Sequence, residues 1–306
     1  MIFIIEDAPL IKLPPLFRYN APRRPYRLLY FLLMVYVVAS SICEQDDSTE
    51  TQGEAPFEDR FIFRFREGRY ADALRVIDSR PDDSSAGDLK RVYRACCLSK
   101  LKRHREAAND FGNALLSRLD ELNDPFVLSM AAETLFEIKA YSRAREMIDR
   151  LSALYPSSRI GVKLQPLAMK IEQAIERGIE TDNLNWYFTE ALRARKDDET
   201  GLASEYFKEF LTLANRLDNV NSDQLATARM HYGSLLLDHD WYEAAFTEFD
   251  AIPVSLDNYT AGLFKAMTLK LLDEDEKAFA IIDEIIANAT GKSKTRAINL
   301  KEKWSQ

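Results

Sequence analysis

From Pro125 to Ser158 the chain reads PFVLSMAAETLFEIKAYSRAREMIDRLSALYPSS. Leu128, Ala132 and Leu135 recur on one face at helical spacing. A polar turn follows around Lys139 and Tyr141. A second apolar face then runs Ala144, Ile148, Leu151, and Pro156 stops it. The pattern predicts two amphipathic helices joined by a short turn, a hairpin with one buried side. A hairpin of this kind cannot cover its own apolar face, so it must stack on another.

The chain carries further copies. A small Ala followed four residues later by Ile or Phe recurs as Ala73/Ile77, Ala107/Phe111, Ala144/Ile148, Ala203/Phe207, Ala245/Phe249 and Ala278/Ile282. The steps between the alanines are 34, 37, 59, 42 and 33 residues. Twelve residues before each alanine, a small residue usually stands: Ala95, Ala132, Ala191, Gly233 and Ala266, with Phe61 in the first copy. Small residues let two helix backbones approach closely, and the Ile or Phe one turn later fills the adjacent gap. The long step holds an insertion, residues 159–181, where Ile160, Leu164, Leu167, Ile171 and Ile175 predict one added helix. The insertion is expected to split the array into two lobes, 57–158 and 182–306. The stretch from Lys292 to Trp304 reads as a capping helix with a polar outer side.

This order of small, aromatic, Ala, Phe and Pro slots in units of about 34 residues resembles the tetratricopeptide repeat family. The resemblance is strongest at 88–121 and 125–158, and it weakens in the first copy, where Arg64 and Arg80 take slots that are usually apolar. It implies an all-α fold, a right-handed α-solenoid of about six helix hairpins with the inserted helix and the C-terminal cap. It also implies a concave surface lined by the first helix of each hairpin. The matching inward slots hold Glu133, Phe136, Arg195, Met230, Ser234, Leu263, Met267 and Lys270. The Lys/Asn pattern with which some members clamp a C-terminal carboxylate is missing, since Val92, Cys96, Leu263 and Met267 occupy matching slots. The run Tyr155–Ser158 is similar to repeats of bacterial envelope lipoproteins.

The N-terminal stretch has a different character. Residues 1–27 are a basic, proline-broken leader, and Leu28 to Ala39 is strongly apolar. An apolar run of that length is short for a membrane span and suits a signal-peptide core. Residues 28–43 are therefore read as a signal-peptide core or membrane anchor, and 44–56 as an acidic linker. The arginines before the apolar run and the acids after it direct the repeats out of the cytoplasm, into the periplasm or the exterior. Cleavage near Ala39, lipidation at Cys43 and retention as an anchor are three outcomes compatible with this stretch. The other cysteines, Cys96 and Cys97, are adjacent on a helix and diverge, so they read as packed thiols.

The net charge of −8 argues against general nucleic-acid binding. Neither a glycine-rich phosphate loop nor a cysteine–histidine cluster of zinc spacing is present, and no metal or cofactor is expected. None of His104, His231 and His239 stands beside a nucleophile in sequence. The expected function is a non-catalytic scaffold for protein or peptide partners in a cell-envelope assembly, attached to the membrane through residues 28–43. A structural subunit without a peptide groove, and an accessory platform of an enzyme, are the competing readings.

Overall fold

The computed structural model describes residues 57–79, 87–117, 120–177, 183–217, 220–253 and 259–306. The leader, the apolar segment, Cys43 and the acidic linker lie outside these residues. Every regular element among the described residues is helical. The chain forms hairpins α1 (Phe57–Arg66) with α2 (Tyr70–Asp78), α3 (Gly87–Lys100) with α4 (His104–Leu116), and α5 (Pro125–Glu137) with α6 (Tyr141–Leu154). A single helix follows, α7 (Arg159–Glu176). Three further hairpins are α8 (Leu184–Lys196) with α9 (Thr200–Ala214), α10 (Ser222–Asp238) with α11 (Tyr242–Asp250), and α12 (Thr260–Leu271) with α13 (Asp275–Asn288). The last helix is α14 (Gly291–Trp304).

The repeated slots pack as the pattern requires. Ala73, Ala107, Ala144, Ala203, Ala245 and Ala278 are all fully buried, and so are Ala95, Ala132, Ala191 and Ala266. The Ile or Phe one turn after each alanine is buried too. Gly233 shows why the slot is small: a Cβ there would meet the Phe249 ring at 2.7 Å.

A stricter repeat lies in the turns. Five residues before each of the six alanines the backbone enters the left-handed region, at Gly68, Lys102, Lys139, Asp198, Asp240 and Asp273. The next residue in each turn donates its N–H to a carbonyl five residues back: Arg69 to Arg64, Arg103 to Leu98, Ala140 to Leu135, Glu199 to Ala194, Trp241 to Leu236 and Glu274 to Leu269. That bond and the left-handed residue together close the first helix of every hairpin by its own backbone. Three helices that follow a hairpin start on a side chain instead. Asp124 accepts from the N–H groups of Phe126 and Val127 to start α5, Ser158 from Ile160 to start α7, and Asn221 from Asp223 and Gln224 to start α10.

The stack does not simply run on. The inserted helix α7 packs on α5 and α6 through Leu164 and Ile171. The next hairpin then turns back, and α9 lies against α4 and α6, the second helices of the second and third hairpins. One apolar core consequently runs from Val92 to Leu235, crossing the boundary read between 57–158 and 182–306. Residues 55–306 form one compact unit. At the far end α14 covers α13 with Ala297, Leu300 and Trp304.

Candidate functional site

The seam between α9 and α4 is made by two glycines. A Cβ on Gly112 would lie 2.2 Å from the Gly201 carbonyl oxygen, and one on Gly201 would lie 2.1 Å from the Asn109 oxygen. The two backbones touch there, and only residues without a side chain permit it. The Leu202 N–H donates to Asn109 Oδ1 at 3.1 Å beside the crossing. Arg105 on α4 reaches both Glu190 (2.9 Å) and Glu199 (2.6 Å). Trp241 Nε1 donates to the Leu116 carbonyl at 2.6 Å, which ties the α10–α11 turn to the end of α4.

Where α9 meets α6, charge is buried. Arg143 Nε pairs with Glu205 Oε2 at 2.7 Å, and both side chains are almost wholly buried. Arg143 also meets Glu146, which in turn takes the Lys208 ammonium at 3.3 Å. Glu209 is fully buried, and its two oxygens accept from the N–H groups of Ser142 and Arg143 at 3.0 Å each. The α6 N-cap residue, Ala140, has no side-chain acceptor, so a carboxylate from α9 closes this helix start and meets its positive dipole end. Burial alone would lower the Arg143 pKa, but the carboxylates of Glu205 and Glu146 hold it above the ordinary guanidinium value. Burial likewise pushes the Glu146 carboxyl up, and Arg143 and Lys208 bring it below its usual range. Lys208 is lowered by burial and by the Arg143 charge. These groups fix how α9 sits on α6.

On the inner slots the structure brings together one pair, Arg195 and Ser234, with Arg195 Nη2 3.4 Å from Ser234 Oγ. Lys270 is engaged locally, its ammonium 2.7 Å from Asp275 and over the Phe279 ring. Met267 is half-buried and stands one turn from Lys270 on α12. Met230 packs beside Leu116, Leu236 and Phe249. Glu133 lies 3.7 Å from Lys100, and the Phe136 ring packs on Tyr141. Leu263 departs from the surface expectation: it is 5% exposed and packs with Ile282 and Ala297, because α13 and α14 close over that face of α12. The partly exposed inner residues of the last three hairpins are thus Arg195, Met230, Ser234, Met267 and Lys270.

His231 and the two described cysteines are taken up by packing. His231 stacks on the Phe207 ring, and burial lowers its pKa. The thiols of Cys96 and Cys97 are buried, and burial pushes Cys97 up to about 12 and Cys96 higher. Among the described residues no group of three or more His, Cys, Asp or Glu stands ready to hold a metal. Among them, too, no helix is long and apolar enough to cross a membrane. A shallow groove of about 560 Å³ between α13 and α14 is lined by Ile286, Ile298, Lys301, Glu302, Ser305 and Gln306, and includes none of the inner-slot residues.

No protein-family model matches the chain. No curated protein matches it. Among solved structures it is similar to the TPR2AB-domain:pHSP90-complex of yeast Sti1, at 12% identity and a TM-score of 0.34, over 82% of this chain and 97% of that chain.

Proposed function

We propose that this protein is a non-catalytic scaffold that holds protein or peptide partners against the first helices of its last three hairpins. The supporting observation is how the second helices are used. Twelve of the fifteen residues of α9 are buried, Glu205 and Glu209 among them, so that helix is spent on holding the array together. The first helices α8, α10 and α12 keep Arg195, Ser234, Met267 and Lys270 partly exposed. Two cations and an adaptable methionine suit an extended or helical segment with acidic and apolar residues. The proposal extends to place: residues 28–43 hold the chain at a membrane of the cell envelope, with the repeats outside the cytoplasm.

The test has two arms. A photo-reactive residue at position 267 in the full chain, expressed in its native cell, identifies the partner segment. Binding of that purified segment is then measured on the wild type and on Arg195→Glu with Lys270→Glu. Because exposed charges contribute only about 0–1 kcal/mol to stability, melting should barely move while binding weakens by about tenfold. Unchanged binding refutes the inner-face reading. For the topology, a reporter active only in the cytoplasm and fused after Gln306 should be silent, and strong activity refutes the placement.

A further inference from the structure

The inserted helix α7 carries a second surface, separate from the inner slots. Val162 is 72% exposed and Met169 57%, although the opposite face of the same helix is packed on α5 and α6. Successive helical residues turn by about 100°, which sets Val162 and Met169 along the middle of the exposed arc, with the exposed Gln173 and Pro166 beside them toward one edge. Arg159, Lys163, Lys170 and Arg177, all exposed, follow one flank of it. The other flank holds Glu172 and Glu176, and Glu172 is already paired with Arg145 at 2.6 Å. Among the described residues none of the four cations has an ion-pair partner. Pro166 offers no N–H to the Val162 carbonyl, so a backbone acceptor on this turn lacks its helical donor.

We propose that this face docks an amphipathic helix of another protein, one whose apolar stripe is edged on one side by carboxylates. Three observations select that occupant. The inner face of α7 already packs as a helix of the array does, so a further helix can lie on the outer face in the same way. Four cations along one edge, unpaired among the described residues, ask for acids along one edge of the partner and fix its orientation. This cationic edge stands on a chain whose net charge is −8, so charge concentration here is local. A second copy of this chain fits poorly, because an antiparallel α7 pair sets the cationic edges against each other, and a parallel pair offers each only Glu176 and an engaged Glu172. A lipid surface also fits poorly. A helix lying on anionic lipid carries its cations on both sides of a broad apolar face, whereas α7 has carboxylates on one side and a narrow stripe.

The full chain is titrated with a labelled synthetic helix that has leucines on one face and glutamates along one edge, and with its lysine-edged counterpart. The glutamate-edged helix should bind, and the lysine-edged one should bind at least about tenfold more weakly. Lys163→Glu with Lys170→Glu, and separately Met169→Asp, should each weaken the first by about tenfold. Since these side chains are exposed, thermal melting of both variants should match the wild type. Amide exchange should slow over 159–176 when the helix is bound. Several results overturn the proposal: no binding of the glutamate-edged helix, equal binding by the variants, or protection confined to α8, α10 and α12. So do co-sedimentation with phosphatidylserine vesicles that these variants abolish, and a dimer that Met169→Asp dissociates.

Discussion

Gly112→Ala perturbs this architecture at the seam itself. The added Cβ would lie 2.2 Å from the Gly201 oxygen, 2.5 Å from its carbonyl carbon and 2.8 Å from its Cα. All three atoms are backbone, so no rotamer relieves the clash and α9 must move off α4 by roughly 1 Å to reach van der Waals contact. That movement also strains the Leu202–Asn109 hydrogen bond at 3.1 Å and the Arg143–Glu205 pair at 2.7 Å. Overpacking costs about 1–3 kcal/mol, occasionally more, and a weakened hydrogen bond adds about 1 kcal/mol. Alanine returns about 1 kcal/mol through its better helix propensity. The net expectation is a destabilisation of about 1–3 kcal/mol. Gly161→Ala is the control, because its Cβ meets only the Leu151 Cδ2 methyl, at 3.3 Å. There the propensity gain should prevail, and stability should hold or rise by up to about 1 kcal/mol. Urea unfolding followed by circular dichroism measures both. If Gly112→Ala is as stable as Gly161→Ala, the backbones do not touch at this crossing and the reasoning fails.

Other outcomes follow from the same structure. Lys102 holds a left-handed backbone in an exposed turn, so Lys102→Gly should stabilise by about 1 kcal/mol in the same unfolding assay, and a loss of stability would show that the turn is built otherwise. Asp110 is buried, and burial lifts its carboxyl to about 6 against the pull of Arg94, 2.7 Å away. A folded pKa above the unfolded one means that this group's contribution to stability is full below about 3.8 and is lost as the pH rises through about 6. Acidification from neutral pH through that window should therefore favour the wild type more than Asp110→Asn, and Arg94→Ala should raise the Asp110 pKa further. A carboxyl titrating near 4 by NMR in the wild type would contradict the burial argument.

What the sequence disclosed was local and periodic. The alanine slots and their Ile or Phe partners repeat within each hairpin, so six copies expose the packing rule, and every one of those alanines is buried. The left-handed turn position escaped notice because five of its six residues are Lys or Asp, and only Gly68 has the residue type that advertises the conformation. The α9 seam was illegible for another reason. Gly112 and Gly201 stand far apart in sequence, and a lone glycine in a helix reads as weak propensity rather than as half of a contact. Two helix-interior glycines beside buried alanine slots were the available signal. Arg143, Glu205 and Glu209 carry no sequence signal of their own, because only the fold brings them together. Of the inner slots, Arg195 and Ser234 meet, whereas Leu263 is enclosed because the helices beyond it cover it, something its position within one repeat does not reveal.

The claim that joins these parts is that α9 folds back onto α6 and α4 and closes a single charged seam. A double-mutant cycle between Arg143 and Glu205 measures it directly, since the two residues lie on hairpins separated by the inserted helix. Either alanine substitution alone leaves a buried charge uncompensated and should cost about 3–5 kcal/mol. Together they should cost less than their sum, with a coupling of about 1–3 kcal/mol in urea unfolding. Strictly additive losses would mean that the two side chains do not meet and that the array does not fold back.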